Sequence, residues 1–170
     1  MQRRTLLGLG MAAAAVVSLV GAGAAWLHDP AWRDGRLLRS GREVLRAVAN
    51  AVLDGSLPDA TEERSAALDN HLQRMETTIA ALPVHMQEEL GTLLAVLASA
   101  PLRRIVVGLA APWDVAPISE AQRALQSMRT SSSMLRRQAY GALRDLTHAA
   151  YFVEPSTWAL LHYPGPRALA

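Results

Sequence analysis

The chain has 170 residues, 51% of them hydrophobic, with 17 basic residues, 15 acidic residues and no cysteine. That length fits one domain, and the absence of thiols excludes disulfides, thiolate metal sites, iron–sulfur clusters and covalently attached c-type haem. The formal charge of +2 falls to neutral once Arg3 and Arg4 are set aside, and the remaining arginines read as evenly spread, so nucleic acid is not an expected partner.

Residues 1–27 read as a targeting segment. Arg3-Arg4 stands at the N-terminus, is followed by Thr5-Leu6-Leu7, and precedes a run to Leu27 without any charge. A basic start, an Ala- and Gly-rich apolar run and an Ala22-Gly23-Ala24 cleavage candidate make a signal of twin-arginine type, with Arg3, Arg4, Leu6 and Leu7 as its export residues. Three positions depart from that pattern: Gln2 before the pair, Leu6 in place of Phe, and Gly8 where Lys is common. An ordinary secretory signal is one alternative. An uncleaved anchor is the other, since about 22 apolar residues reach across a bilayer. Either way the expected location is the periplasm, with the twin-arginine translocase as a transient partner.

His28-Asp29-Pro30 and Asp34-Gly35 read as a turn-rich junction, and the helical domain proper is expected over residues 36–166. Leu37, Leu38, Val44, Leu45, Val48, Val52 and Leu53 recur at near-helical spacing until Asp54-Gly55 and Pro58 end the run. Thr61-Glu62-Glu63 starts the next helix, with carboxylates where the helix dipole favours them. Its stripe of Leu68, Leu72, Met75, Ile79 and Leu82 is the clearest amphipathic pattern in the chain.

Pro83 breaks that helix, and another runs through Met86, Leu90, Leu93, Leu94 and Leu97 to stop before Pro101. Leu102 to Leu109 is ambiguous between strand and buried helix, and helix is expected because no partner strand is visible. Pro112, Trp113, Asp114 and Pro117 form a connection, after which Ser119-Glu120 opens a helix to about Met128. Ser131-Ser132-Ser133 is a candidate cap for a last helix through Leu135, Ala139, Leu143, Leu146 and Ala150. The sum is an all-α fold without β segments, an irregular bundle of about six helices preceded by an apolar leader helix.

The search for chemistry yields little. His28, His71, His85, His148 and His162 form no metal-ligand spacing, so no metal site is expected. His71 reads as an exposed or partly satisfied helical histidine. Glu62-Glu63 and Glu88-Glu89 are neighbours in sequence, which on a helix point apart and read as solvated faces. Asp145 and His148 stand three apart and read as a surface ion pair in preference to a catalytic dyad. There is no GxSxG, GxGxxG or Walker loop, so neither nucleotide nor flavin is an expected cofactor and the chain is not expected to be an enzyme.

The C-terminal stretch gathers Tyr140, Tyr151, Phe152, Trp158 and Tyr163, most of the aromatics in an aromatic-poor chain. They could staple a terminal segment across the bundle. Together with Arg136, Arg137 and Arg144 they could instead form a partner-binding surface, because aromatics and arginine supply binding anchors.

Arg136-Arg137-Gln138-Ala139-Tyr140, Leu143-Arg144-Asp145-Leu146, Ala149-Ala150-Tyr151-Phe152 and Trp158 with Tyr163-Pro164-Gly165-Pro166 also carry a family resemblance. Together with the Leu57-Pro58, Leu82-Pro83 and Pro101-Leu102-Arg103-Arg104 punctuation, the chain resembles the small-subunit (subunit 3) family of gluconate 2-dehydrogenase. The resemblance implies a non-catalytic accessory subunit of a large flavoprotein dehydrogenase, at times with a cytochrome c subunit. Its implied role is to carry the folded, flavin-loaded enzyme through the translocase and stabilise it. The chain lacks the His-, Asn- and Gly-rich stretch associated with that family. A free-standing periplasmic helical binding protein is the alternative expectation.

Overall fold

The described chain is mostly helical with six helices, as expected of an all-α fold, but it opens on a short hairpin that the sequence did not show. In the computed structural model, which describes residues 30–155, 157 and 158, Trp32–Arg33 (β1) pairs antiparallel with Arg36–Leu37 (β2). Asp34 and Gly35 between them have φ of 50° and 77°. Two successive left-handed residues make a tight hairpin turn, and Asp-Gly is a favoured pair for it. Two-residue strands are too short to show the alternation that marks a strand in sequence.

The hairpin packs on the helices, with Ala31 just before it buried. Two glycines let it approach. A Cβ on Gly41 would stand 2.5 Å from the Ala31 carbonyl oxygen, and one on Gly91 would stand 2.8 Å from the Trp32 Cβ. Gln87 secures the corner: its side-chain oxygen accepts from Trp32 Nε1 at 3.2 Å, and its amide donates to the Ala80 and Leu82 carbonyls.

The rest of the described chain is helical, as expected. Helix α1 (Arg39–Val52) is the central element, packing against α2 (Thr61–Ala80), α3 (Val84–Ala98), α5 (Ile118–Arg129) and α6 (Met134–Tyr151). It can touch four helices because Val44, Leu45, Val48 and Ala49 are fully buried along it. The α2 stripe behaves as its spacing predicts: Leu68, Leu72, Met75 and Ile79 are buried, and Leu82 follows them into the core. Proline sets the next boundaries, with Pro83 immediately preceding α3 and Pro117 preceding α5.

After α3 the chain bends by 78° into α4 (Ala100–Leu102), which widens into a π turn over Arg103–Val107. The ambiguous Leu102–Leu109 stretch is thus helical, as expected, but wound so that the Gly108 N–H donates to the Arg103 carbonyl at 3.1 Å. Gly108 ends it at φ 81°. Arg103 is only 5% exposed. Its guanidinium donates to the Ala98 carbonyl at 3.1 Å and to the Ala110 carbonyl at 3.3 Å, so it caps the C-terminus of α3. Burial pulls its pKa below the ordinary arginine value, reinforced by Arg104 and opposed by Asp114. Trp113 Nε1 closes the same end by donating to the Leu97 carbonyl at 2.8 Å.

The serine run does not cap α6 through its side chains. Ser133 occupies the N-cap position without a side-chain bond, and Ser131 Oγ instead accepts from the Ser133 N–H at 3.2 Å, tightening the α5–α6 turn. Among the described residues no single helix is long and apolar enough to cross a membrane; only the bent pair of α3 with Ala100–Val107 meets those criteria jointly. The leucines of α3 (Leu90, Leu93, Leu94 and Leu97) are buried against the other helices. The export residues Arg3, Arg4, Leu6 and Leu7 and the Tyr163-Pro164-Gly165-Pro166 element lie outside the described residues.

Candidate functional site

Helix α6 carries most of the candidate residues, and their spacing sorts them. Arg137, Tyr140, Arg144 and His148 follow one another at intervals of three and four, which lines them up along one stripe of the helix. Tyr140, Arg144 and His148 face Val52 of α1 and Gln122 and Gln126 of α5 across an open groove of about 340 Å³. Gln122 anchors one wall, donating to Asp54 Oδ2 at 3.1 Å and to the Ala51 carbonyl at 3.3 Å. Arg137 is exposed and donates to the Ser131 carbonyl. Arg136 is half-buried and donates to Ser127 Oγ at 3.1 Å, which ties α6 to α5.

The expected Asp145–His148 ion pair does not form. Asp145 is bound by its neighbour Arg144, through Nη2 at 2.7 Å and Nε at 2.9 Å. His148 lies against Phe152 instead, with ring centroids 6.0 Å apart. Burial lowers its pKa, as does Arg144, while Asp145 acts in the opposite sense. At neutral pH it is an uncharged imidazole on the groove wall.

The remaining aromatics divide by burial. Tyr151 is part of the core: its hydroxyl donates to the Ser56 carbonyl at 3.3 Å, and its ring meets His71 and Phe152 edge-on. Trp158 Nε1 donates to the Phe152 carbonyl at 2.8 Å, and Thr157 Oγ1 donates to the Glu154 carbonyl at 2.7 Å. These bonds fold the chain after α6 back onto the helix end. Tyr151 and Trp158 therefore staple, whereas Arg137, Tyr140, Arg144 and Phe152 are available on the outside. Tyr163 lies outside the described residues.

His71 is not the exposed residue its polarity suggests. It is 1% exposed, and neither ring nitrogen has a hydrogen-bond partner among the described residues. Desolvation, with a smaller contribution from Arg74, pushes its pKa down to about 4. The spacing carries the signal: residue 71 lies three after Leu68 and four before Met75, on the apolar stripe itself. No group of His, Asp and Glu side chains among the described residues could hold a metal ion.

No family model matches the chain, nor does any curated protein or solved structure. The outward stripe of α6 therefore has to be read from its own chemistry. A guanidinium, a phenol, two amides and a neutral imidazole converge on a shallow groove, a set suited to holding a partner's polar surface.

Proposed function

We propose that the chain is the non-catalytic small subunit of an exported flavin-dependent dehydrogenase. The observation that carries this reading is the α6 stripe, where Tyr140 and Arg144 stand on a groove with Arg137 beyond them on the same face. Tyr and Arg are the residue types that anchor protein interfaces, because each combines a large contact area with directed hydrogen bonds. Two sequence features support it: the twin-arginine leader and the resemblance in the segment from Arg136 to Phe152.

In this reading the leader directs the complex to the twin-arginine translocase, and the helical domain grips the flavoprotein while it crosses folded. The flavin belongs to the large subunit, and a cytochrome c subunit would be the complex's further member. The location is the periplasm, with an uncleaved leader as the means of attachment to the inner membrane.

Deleting this chain in its own host tests the proposal. Flavin-linked dehydrogenase activity should then be lost from the periplasm while the leaderless flavoprotein accumulates inside the cell. Restoring the chain as Tyr140→Ala/Arg144→Glu should restore its own export but not that of the enzyme. Normal export of the flavoprotein without this chain overturns the proposal. The groove also supports a second reading, a free-standing binding protein, which a monomer recovered with no partner subunit would favour.

A further inference from the structure

Two turns of chain meet at one end of the bundle and give it a chemistry unlike the rest. The π turn supplies Arg104 and Ile105, the end of α5 supplies Arg129, and the first turn of α6 supplies Met134, Arg136 and Arg137. The π turn packs on α5, and Arg136 Nη2 lies 3.9 Å from the place a Cβ on Gly108 would occupy. Ile105, within the π turn, and Met134, at the start of α6, are 72% and 65% exposed.

Charge is uneven along the chain. Between residues 103 and 145 there are seven arginines against Asp114, Glu120 and Asp145, with Arg103 buried and Arg144 paired to Asp145. Helices α2 and α3 carry Glu62, Glu63, Asp69, Glu76, Glu88 and Glu89 against only Arg64 and Arg74. No described carboxylate pairs with Arg104, Arg129, Arg136 or Arg137.

We propose that this end of the bundle seats on an anionic phospholipid surface. The arginines complement headgroup phosphates, and Ser131 and Ser132 add hydroxyl groups in the same turn. Ile105 and Met134 enter the boundary between headgroups and acyl chains, where an aliphatic side chain leaves water without needing a shaped pocket. An acidic protein partner fits less well, because protein hot spots centre on aromatic or arginine anchors desolvated in pockets. Here unbranched and β-branched aliphatics project from turn ends. The surface adjoins the Tyr140–Arg144 groove at Arg137, and Arg104, Ile105, Arg129 and Met134 lie outside that groove, so the two are tested apart through these residues.

The chain contains no cysteine, which makes a site-specific probe straightforward. Full-length Ile105→Cys and Met134→Cys, labelled with a polarity-sensitive fluorophore, are compared with Glu63→Cys on the acidic face. Each is mixed with vesicles of phosphatidylcholine alone or of equal parts phosphatidylcholine and phosphatidylglycerol. Any tethering by the leader acts on all three labelled chains alike, so the position of the probe reads the docking surface.

Both tip probes should shift to the blue on the anionic vesicles only, with the shift reversed by salt and no change at residue 63. Adding Arg104→Gln and Arg129→Gln should weaken the lipid response on the order of thirtyfold at low ionic strength, if each arginine contributes as surface charges do. Absence of a blue shift at both tip positions overturns the proposal. So does an equal shift on both vesicle types. A shift with polyglutamate and none with vesicles overturns it in favour of an acidic protein partner.

Discussion

Arginine does two different jobs on the two sides of this molecule. Along the seam between α1 and α2, Arg42 meets Glu76 at 3.5 Å, Arg46 pairs with Asp69, and Arg64 meets Asp54 at 2.6 Å. Side-chain and backbone oxygens complete the set: Arg46 also donates to Ser65, and Arg64 to Asn50. In the π turn, at the end of α5 and in the first turn of α6, Arg104, Arg129, Arg136 and Arg137 have no described carboxylate partner. The same residue type is neutralised where acids stand opposite it, and where they do not it bonds neutral oxygens and keeps its charge uncompensated by a described ion pair. Composition alone, which comes out near neutral, hides the distinction.

The comparison can be broken hardest from the paired side, at the contact that seats the hairpin on α1. Gly41→Ala would drive a methyl into the Ala31 carbonyl, and the backbone shift should cost about 2–3 kcal/mol in denaturant unfolding. A change in the midpoint without a change in slope would show that the loss is local to the native packing.

Comparable in size is the acid sensitivity centred on His71. Its folded pKa of about 4 lies below the unfolded value of 6.5, so the fold prefers the neutral ring. Its stabilising contribution is complete above pH 6.5 and is lost as pH falls towards 4. The loss is on the order of 3 kcal/mol by the lower limit. His148, also lowered, adds in the same direction. His71→Leu should flatten stability against pH between those limits. It should also stabilise the neutral protein by about 1–2 kcal/mol, because it removes two buried polar atoms without partners.

The smallest effects compare the arginines directly. Arg64→Ala should lower the melting temperature by roughly 2–4 °C, since it strips Asp54 and Asn50 of their shared partner. The Asp54 carboxyl is held below the usual carboxylate range chiefly by its bond from Arg64, so this loss should shrink in acid. Arg104→Ala should change melting by less than about 1 °C, as an exposed side chain without an ion pair contributes little to the fold. A large loss there would mean that the basic end is structural after all.

How far residues can be read in advance depends on how local their signal is. The α2 stripe from Leu68 to Leu82, the breaks at Pro83 and Pro117 and the acidic start at Thr61-Glu62-Glu63 all follow from spacing within one turn or two. They stand where the sequence places them. His71 was half legible: the period put it on the apolar face, but its polarity argued for solvent, and packing won. The candidate aromatics were legible only as a set, because nothing in their types separates Tyr151, whose hydroxyl reaches Ser56 ninety-five positions away, from Tyr140 on the groove.

What the sequence by itself determined is the helical character of the chain, its breakpoints, its lack of thiol chemistry and the faces of its longest helices. These are properties of near neighbours and of composition. Tertiary structure decided the rest: the hairpin that Asp34-Gly35 turns back onto α3, the π turn that ends at Gly108, the burial of Arg103 and His71, and the approach of Arg136 to that π turn. Each depends on residues far apart in the chain meeting in space. No period or propensity encodes which side chains a helix will meet there.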